Sequence, residues 1–462
     1  MSAHHKAELD TTELDTTELG KAKPAPRGRA LCRALCLALL LLPALPAAPA
    51  RAQLIDRYFP AGIPGYGAAP GVTVLSRDRQ SYEPLGIRTG GFVIRPTLST
   101  GLGATTNATG QPGGRGSALV QTSASLQAST DWGRHAIGGY LSLDDQRVLA
   151  ATNQSATSWT AALGGTADIG RDRLVLGAAH LDLFQTARAL DGLPIDRPGR
   201  YRVNNARASY TWQSSGRLAV TPALAVTDTR YDDVFVGGRR VVQRYRDRTA
   251  LEGAVTTTWE LAPQRRLVLD LRANSFNHAH REPGQPSRNA TTFAALAGID
   301  YAASAVWRVR ALAGLQHRSF ADPSLKPVTG PSAEASAIWT PSGLTTVTAT
   351  LARRIEDAAE LTAVSYTFTG LHLAIDHELH RNLLLAAYLD LQQAEYQQRP
   401  NQLSTGQLSS GHDQVAGFGL GATWLLNRRL RASATWDYTT RHRADGATVD
   451  EGIALLRLRF AL

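Results

Sequence analysis

Three adjacent pairs of ionisable residues, Asp144-Asp145, Asp232-Asp233 and His377-Glu378, are where acid-base chemistry would first be sought in this sequence. Their surroundings do not build a site. His377-Glu378-Leu379-His380 falls one residue short of the His-Glu-x-x-His that sets two metal ligands on one helical face. Neither a Gly-x-Ser-x-Gly elbow nor a glycine-rich phosphate loop occurs. His412-Asp413 lies in a long polar stretch and reads as solvated, and the other carboxylates near turns read as solvated or as calcium contacts. Both cysteines, Cys32 and Cys36, precede residue 53. Removal of that region would exclude disulfides, thiolate catalysis and cysteine metal sites from the mature chain. The sequence therefore predicts no enzyme: no catalytic residue, no cofactor and no metal.

A different chemistry comes from polar residues that recur on one parity of otherwise apolar segments. Leu251, Val255, Trp259 and Leu261 alternate with Glu252, Thr256, Thr258 and Glu260, and Leu430, Trp436 and Tyr438 alternate with Arg431, Asp437 and Thr439. Period two places the two sets on opposite faces of a strand, one suited to lipid and one to water. On this register His180, Asp182, Glu252, Glu260, Asp270, Arg272, Tyr388, Asp390, Arg431, Asp437, Arg457 and Arg459 line an aqueous lumen. Their mixed signs argue against a strong ion filter. The net charge of +10 leans the whole chain towards anionic or sugar solutes, while arginines scattered along it, not clustered on one arm, argue against nucleic acid.

Such residues need a wall, and the sequence predicts one in the outer membrane. Lys21, Lys23, Arg27, Arg29 and Arg33 precede an apolar run from Ala34 to Leu45 that is shorter than the roughly 20 residues of a membrane helix. Ala50-Arg51-Ala52 then has the form of a signal-peptidase site, so residues 1–52 read as an N-terminal extension and signal peptide, with the mature start near Gln53. Residues 53–90, with Pro60, Pro64, Gly65, Pro70 and Gly71, read as a periplasmic segment too rich in turn formers for regular structure.

From residue 91 to 462, alternating segments are joined in turn by tight and by longer connections. Tight turns are predicted at Gly133-Arg134, Gly170-Arg171-Asp172, Ser214-Ser215-Gly216, Pro263-Gln264-Arg265, Ala302-Ala303-Ser304, Pro341-Ser342-Gly343 and Asn427-Arg428-Arg429. Trp132, Trp212, Trp259, Trp307, Trp339 and Trp424 all lie near such turns, forming a membrane-interface girdle on one side. A soluble sandwich or propeller shares the turn spacing but has no reason to gather tryptophan there. The length accommodates about 18 strands, with 16 the alternative, and such a barrel is too wide for its own side chains to fill. The last residues, Leu456 to Leu462, alternate to the chain end like the terminal strand by which such barrels are recognised for assembly.

The segment Tyr82-Glu83-Pro84-Leu85-Gly86-Ile87-Arg88-Thr89-Gly90-Gly91-Phe92 resembles the opening of an outer-membrane β-barrel porin family of Gram-negative bacteria, in which Tyr-x-Pro-x-Gly-Ile-x-x-Gly-x-Phe leads into the first strand. Of the Asp-Asn pair that usually follows that strand, only Asn107 is present. The resemblance implies a barrel often associated with polysaccharide export and carries no catalytic residues. The combined expectation is an all-β, transmembrane, antiparallel up-and-down barrel in the outer membrane, acting as a porin-like channel for polar solutes. The alternatives are an exopolysaccharide export barrel and an outer-membrane enzyme or adhesin. Expected partners are outer-membrane lipid and lipopolysaccharide and the barrel-assembly machinery; on the export reading, polysaccharide or a periplasmic export protein joins them.

Overall fold

The computed structural model describes residues 63–66, 72–302, 304–361, 363–398 and 411–462, all within the unit Pro46–Leu462. The predicted leader, its cleavage site, Ala303 and most of the polar stretch before Asp413 lie outside the described residues. Among the described residues, eighteen long strands follow one another. They are β1 (Phe92–Thr105), β2 (Ser117–Thr130), β3 (Ala136–Val148), β4 (Ala156–Ile169), β5 (Asp172–Gln185) and β6 (Gly199–Gln213). Next come β7 (Leu218–Tyr231), β8 (Arg248–Ala262), β9 (Arg265–His278), β10 (Ala290–Tyr301), β11 (Trp307–Phe320) and β12 (Val328–Ser342). The last six are β13 (Thr345–Asp357), β14 (Ala363–His380), β15 (Leu383–Gln398), β16 (His412–Leu425), β17 (Leu430–His442) and β18 (Thr448–Ala461). Each pairs antiparallel with its sequence neighbours, and β1 also pairs with β18, closing the sheet into an up-and-down barrel without a free edge.

The wall sorts its side chains by polarity. Leu98, Leu102, Leu163, Leu224, Leu315 and Leu456 are each more than half exposed, all on one face of their strands. Water would penalise so broad an apolar surface and hydrocarbon would not. The connections are asymmetric. One rim carries turns of two to five residues, including six of the predicted turns and one more, Arg381-Asn382, which no glycine or proline announces, while the predicted turn at Ala302-Ala303-Ser304 includes the undescribed Ala303. The other rim carries the longer loops, among them residues 186–198 and 232–247.

Two strands leave the cylinder. The pairing of β12 with β13 stops at Ala333 opposite Arg353, whereas β13 stays paired with β14 up to Asp357 opposite Ser365. Above that point the Ile355 amide donates to Gln316 Oε1, at 2.9 Å, on the inner face of β11. Asp357 forms ion pairs with Arg318 of β11 and Arg248 of β8, both on inner faces. All eight residues from Ala363 to Gly370 are buried, although a strand in the wall would show one face outside. The tip of the β13–β14 hairpin thus turns into the lumen.

The family motif builds the junction where the ring closes. Ile87–Thr89 forms a short strand on β1, joined to it by Gly90-Gly91, both at positive φ as a tight hairpin turn requires. It pairs with residues 92–94 of β1, and β18 pairs with the same edge from Thr97 upward. Between them the Leu462 amide donates to the Pro96 carbonyl at 3.3 Å. Proline at this joint has no N–H to leave unpaired.

Candidate functional site

In the lumen the polar side chains of many strands converge on one space. Glu252, Glu260, Asp270, Arg272, Tyr388, Asp390, Arg431, Asp437, Arg457 and Arg459 all stand on the face opposite exposed residues of their own strands, such as Leu251, Leu271, Leu389, Trp436 and Leu458. Several are already paired. Arg272 donates to Asp270 at 3.0 Å and to Glu334 at 2.5 Å, and Tyr388 donates to Asp437 at 2.6 Å.

His180 and Asp182 do not belong to this set. They share parity with Leu176, which is 50% exposed, and Asp182 pairs with Arg200 on the outer side near the long-loop rim. The inner residues there are instead Ala179, Leu181 and Leu183, packed with Tyr201, Val203, Ile63 and Tyr66. The polarity of β5 is locally reversed because another part of the chain lies inside against it.

That part is Ile63–Tyr66, expected in the periplasm but seated on the inner wall. Tyr66 donates to Asn205 Oδ1 at 2.9 Å, and Arg207 stacks over its ring at 4.4 Å while donating to the Gly65 carbonyl at 3.1 Å. Glycines on three adjacent strands make room for it. A Cβ on Gly164 would lie 1.7 Å from the Pro64 carbonyl oxygen, one on Gly177 2.6 Å from the Tyr66 ring, and one on Gly138 2.7 Å from Pro64 Cδ. Farther along, residues 72–86 cross the short-turn rim. Val74 packs with Leu384 and Leu425, Arg79 donates to Glu378 at 2.8 Å, and Arg431 donates to the Tyr82 carbonyl at 3.1 Å and to Glu83 at 3.2 Å.

The opposite end is crossed by loop residues 186–198, which reach from β5 to the far wall. Leu190 enters a buried cluster with Tyr366, Phe368, Tyr396 and Val415. Arg188 pairs with Glu451 of β18, and Arg441 of β17 donates to the Ala187 carbonyl at 2.5 Å and pairs with Asp413. Asp191 accepts from the Tyr396 hydroxyl at 2.9 Å and from the Ala359 amide at 2.6 Å, in the tip of the inward hairpin. Burial pushes the Asp191 carboxyl up to about 7, with Asp413 adding to the shift against the pull of Arg246. Tyr245 and Arg288, from two further loops, donate to the carbonyls of Ala359 and Ala358 at 2.5 and 2.9 Å. Loops from several sides thus meet inside the mouth. Sequence periodicity carries no signal for Asp191, Asp357, Arg318 or Glu334, because a side chain's contact across the lumen is not encoded in its own strand's alternation.

The pairs that could have suggested acid-base work are separated or spent. Asp144 faces inward while Asp145 faces outward to Arg147, Asp232 and Asp233 each meet a different arginine, and Glu378 is held by Arg77 and Arg79. Among the described residues no three His, Cys, Asp or Glu converge on a metal position. Asn107 is consumed by structure, donating to the carbonyls of Gln111 and Asp450 at 2.9 and 3.0 Å and accepting from the Gly110 amide at 3.0 Å.

With this wall and lumen in view, the sequence matches the family described as Putative beta-barrel porin 2 over residues 80–460. The chain belongs to that family. As a porin of this kind it resides in the outer membrane, and the family points to a channel and not to an enzyme. Comparison with the curated proteins finds no match. Among solved structures, a BenF-like porin from Pseudomonas fluorescens Pf-5 is similar at 9% identity and a TM-score of 0.42, over 80% of this chain and 99% of that one. Pseudomonas aeruginosa OccK2 (OpdF) in complex with glucuronate is similar at 10% identity and a TM-score of 0.42, over 80% of this chain and 98% of that one. The copper transporter OprC is similar at 12% identity and a TM-score of 0.42, over 78% of this porin, which spans 62% of its length.

Proposed function

We propose that this porin passes small polar solutes by diffusion along its charged inner wall, at a rate set by the inward loop 186–198 and the β13–β14 tip. The observation that carries this reading is the ten ionisable or phenolic side chains on the inner face, behind an outer face of exposed leucines. A lumen built only to be filled would have no use for so much hydratable surface. The six tryptophans stand at the short-turn rim, with Trp307 and Trp339 stacked at 5.4 Å, and would anchor the barrel among periplasmic-leaflet headgroups.

Planar-bilayer recording tests the proposal. Purified protein is expected to conduct with rare, flickering openings, and replacing residues 187–196 by a short glycine-serine link should raise the mean conductance several-fold. Silence in both forms would reject a diffusion channel. Opening only after a periplasmic protein or a polysaccharide is added would move the assignment to export.

A further inference from the structure

The inner wall at the short-turn end carries a charge arrangement that the ion pairs elsewhere in the barrel do not share. Arg431 of β17 and Arg459 of β18 stand directly opposite each other on the inner face, and Arg457 is the next inward residue along β18. Like charges directly opposite in an antiparallel pair are destabilising, and their side chains start only about 5 Å apart. By contrast, the inward Arg272 is answered by two acids, Asp270 and Glu334.

Here the compensation is incomplete. Arg457 donates to the neutral amide of Gln121 at 2.7 Å, and Arg459 has no hydrogen-bond or ion-pair partner among the described residues although it feels Arg431, Arg457 and Glu83. Asp144 of β3 faces Arg457 from one side. One carboxylate does enter the group: Glu83, from the segment crossing the rim, accepts from Arg431 at 3.2 Å.

We propose that Arg431, Arg457 and Arg459 form a carboxylate-binding station on the lumen wall, with Glu83 as its tethered occupant and small organic acids as the solutes that take its place. The inference rests on the channel reading above and names the solute class. Guanidinium groups fork around a carboxylate with two parallel hydrogen bonds, which makes adjacent arginines suited to an acid and indifferent to a neutral sugar. A flexible acid from the chain itself holds the site without closing it, because side-chain exchange on an open surface costs little. An acid entering the lumen meets Arg459 first unoccupied and then displaces Glu83 from Arg431.

Equilibrium titration of the detergent-solubilised full barrel with succinate separates this claim from conduction. Wild type is expected to bind succinate and not ribose, more weakly as salt rises. Arg459→Gln should weaken binding about tenfold, the loss of one charge-assisted contact, with Arg459→Lys intermediate because it keeps charge but not the fork. Glu83→Gln should strengthen binding by removing the competitor. Heat-modifiable migration confirms that each variant is folded. Succinate binding unchanged in Arg459→Gln, or weakened in Glu83→Gln, would overturn the station even if the barrel conducts. Binding with these signatures in a barrel that never conducts would leave the station standing and sink the diffusion reading. An oligouronate that binds while succinate does not would reassign the site to an acidic polymer and overturn the small-acid claim.

Discussion

Leu458 and Arg459 are neighbours in the chain and live in different solvents. Leu458 is 52% exposed on the outer face, and Arg459 stands inside opposite Arg431. Leu458→Arg or Phe460→Arg would put charge into lipid, costing about 2 to 4 kcal/mol at mid-depth and less near an interface. Both variants should show a smaller heat-modifiable fraction on gels than Arg459→Ala, and equal fractions for all three would refute the outward placement. This distinction was legible because the β18 sequence alternates cleanly. The same logic failed at His180 and Asp182. On β5 Leu181 and Leu183 face inward to cover Ile63 and Tyr66, so apolar character there marks an internal contact and not lipid. Alternation reports only that two faces differ; which one meets lipid depends on what else the chain places against them.

At the scale of elements, strand order and the turn rim could be read from glycine, proline and tryptophan, but the direction of a loop could not. Nothing in the composition of residues 186–198 says that they point inward. Their position is fixed by partners far away in sequence, Glu451, Tyr396 and Ala359 among them. The loop should therefore respond to pH through Asp191. Its carboxyl is raised by burial to about 7, so the folded seat holds a proton that the free loop releases in the ordinary carboxylate range. The stabilisation is complete below that ordinary range and is lost as pH rises through about 7. Asp191 also has a φ of 57°, which asparagine tolerates, so Asp191→Asn keeps the backbone and removes the titration. Open time in bilayer records should increase from pH 5 to pH 8 in the wild type and stay level in Asp191→Asn. Parallel pH curves for the two proteins would show that the charge lies elsewhere.

For the whole molecule, the family motif locates the point where a linear chain becomes a ring. Gly86 has a φ of 72°, and a Cβ there would lie 2.9 Å from Val93 Cγ1 and 3.0 Å from the Ile94 carbonyl oxygen. Gly86→Val should displace the short strand Ile87–Thr89, lower the yield of heat-modifiable barrel and broaden the distribution of unit conductances. A normal yield with one sharp conductance would remove any role for the short strand in closure. The reason for a spread lies in how the two strands share β1. The short strand before β1 and the last strand, β18, are butted along a single edge of β1, Ile87–Thr89 below and β18 from Thr97 upward, so β18 meets a stop in the direction of slippage. In a closed sheet the stagger accumulated on going once around sets the tilt of every strand and, with strand number, the bore. A stop at one joint is thus a gauge for the entire circumference, and the barrel's calibre is set by where its first and last strands meet.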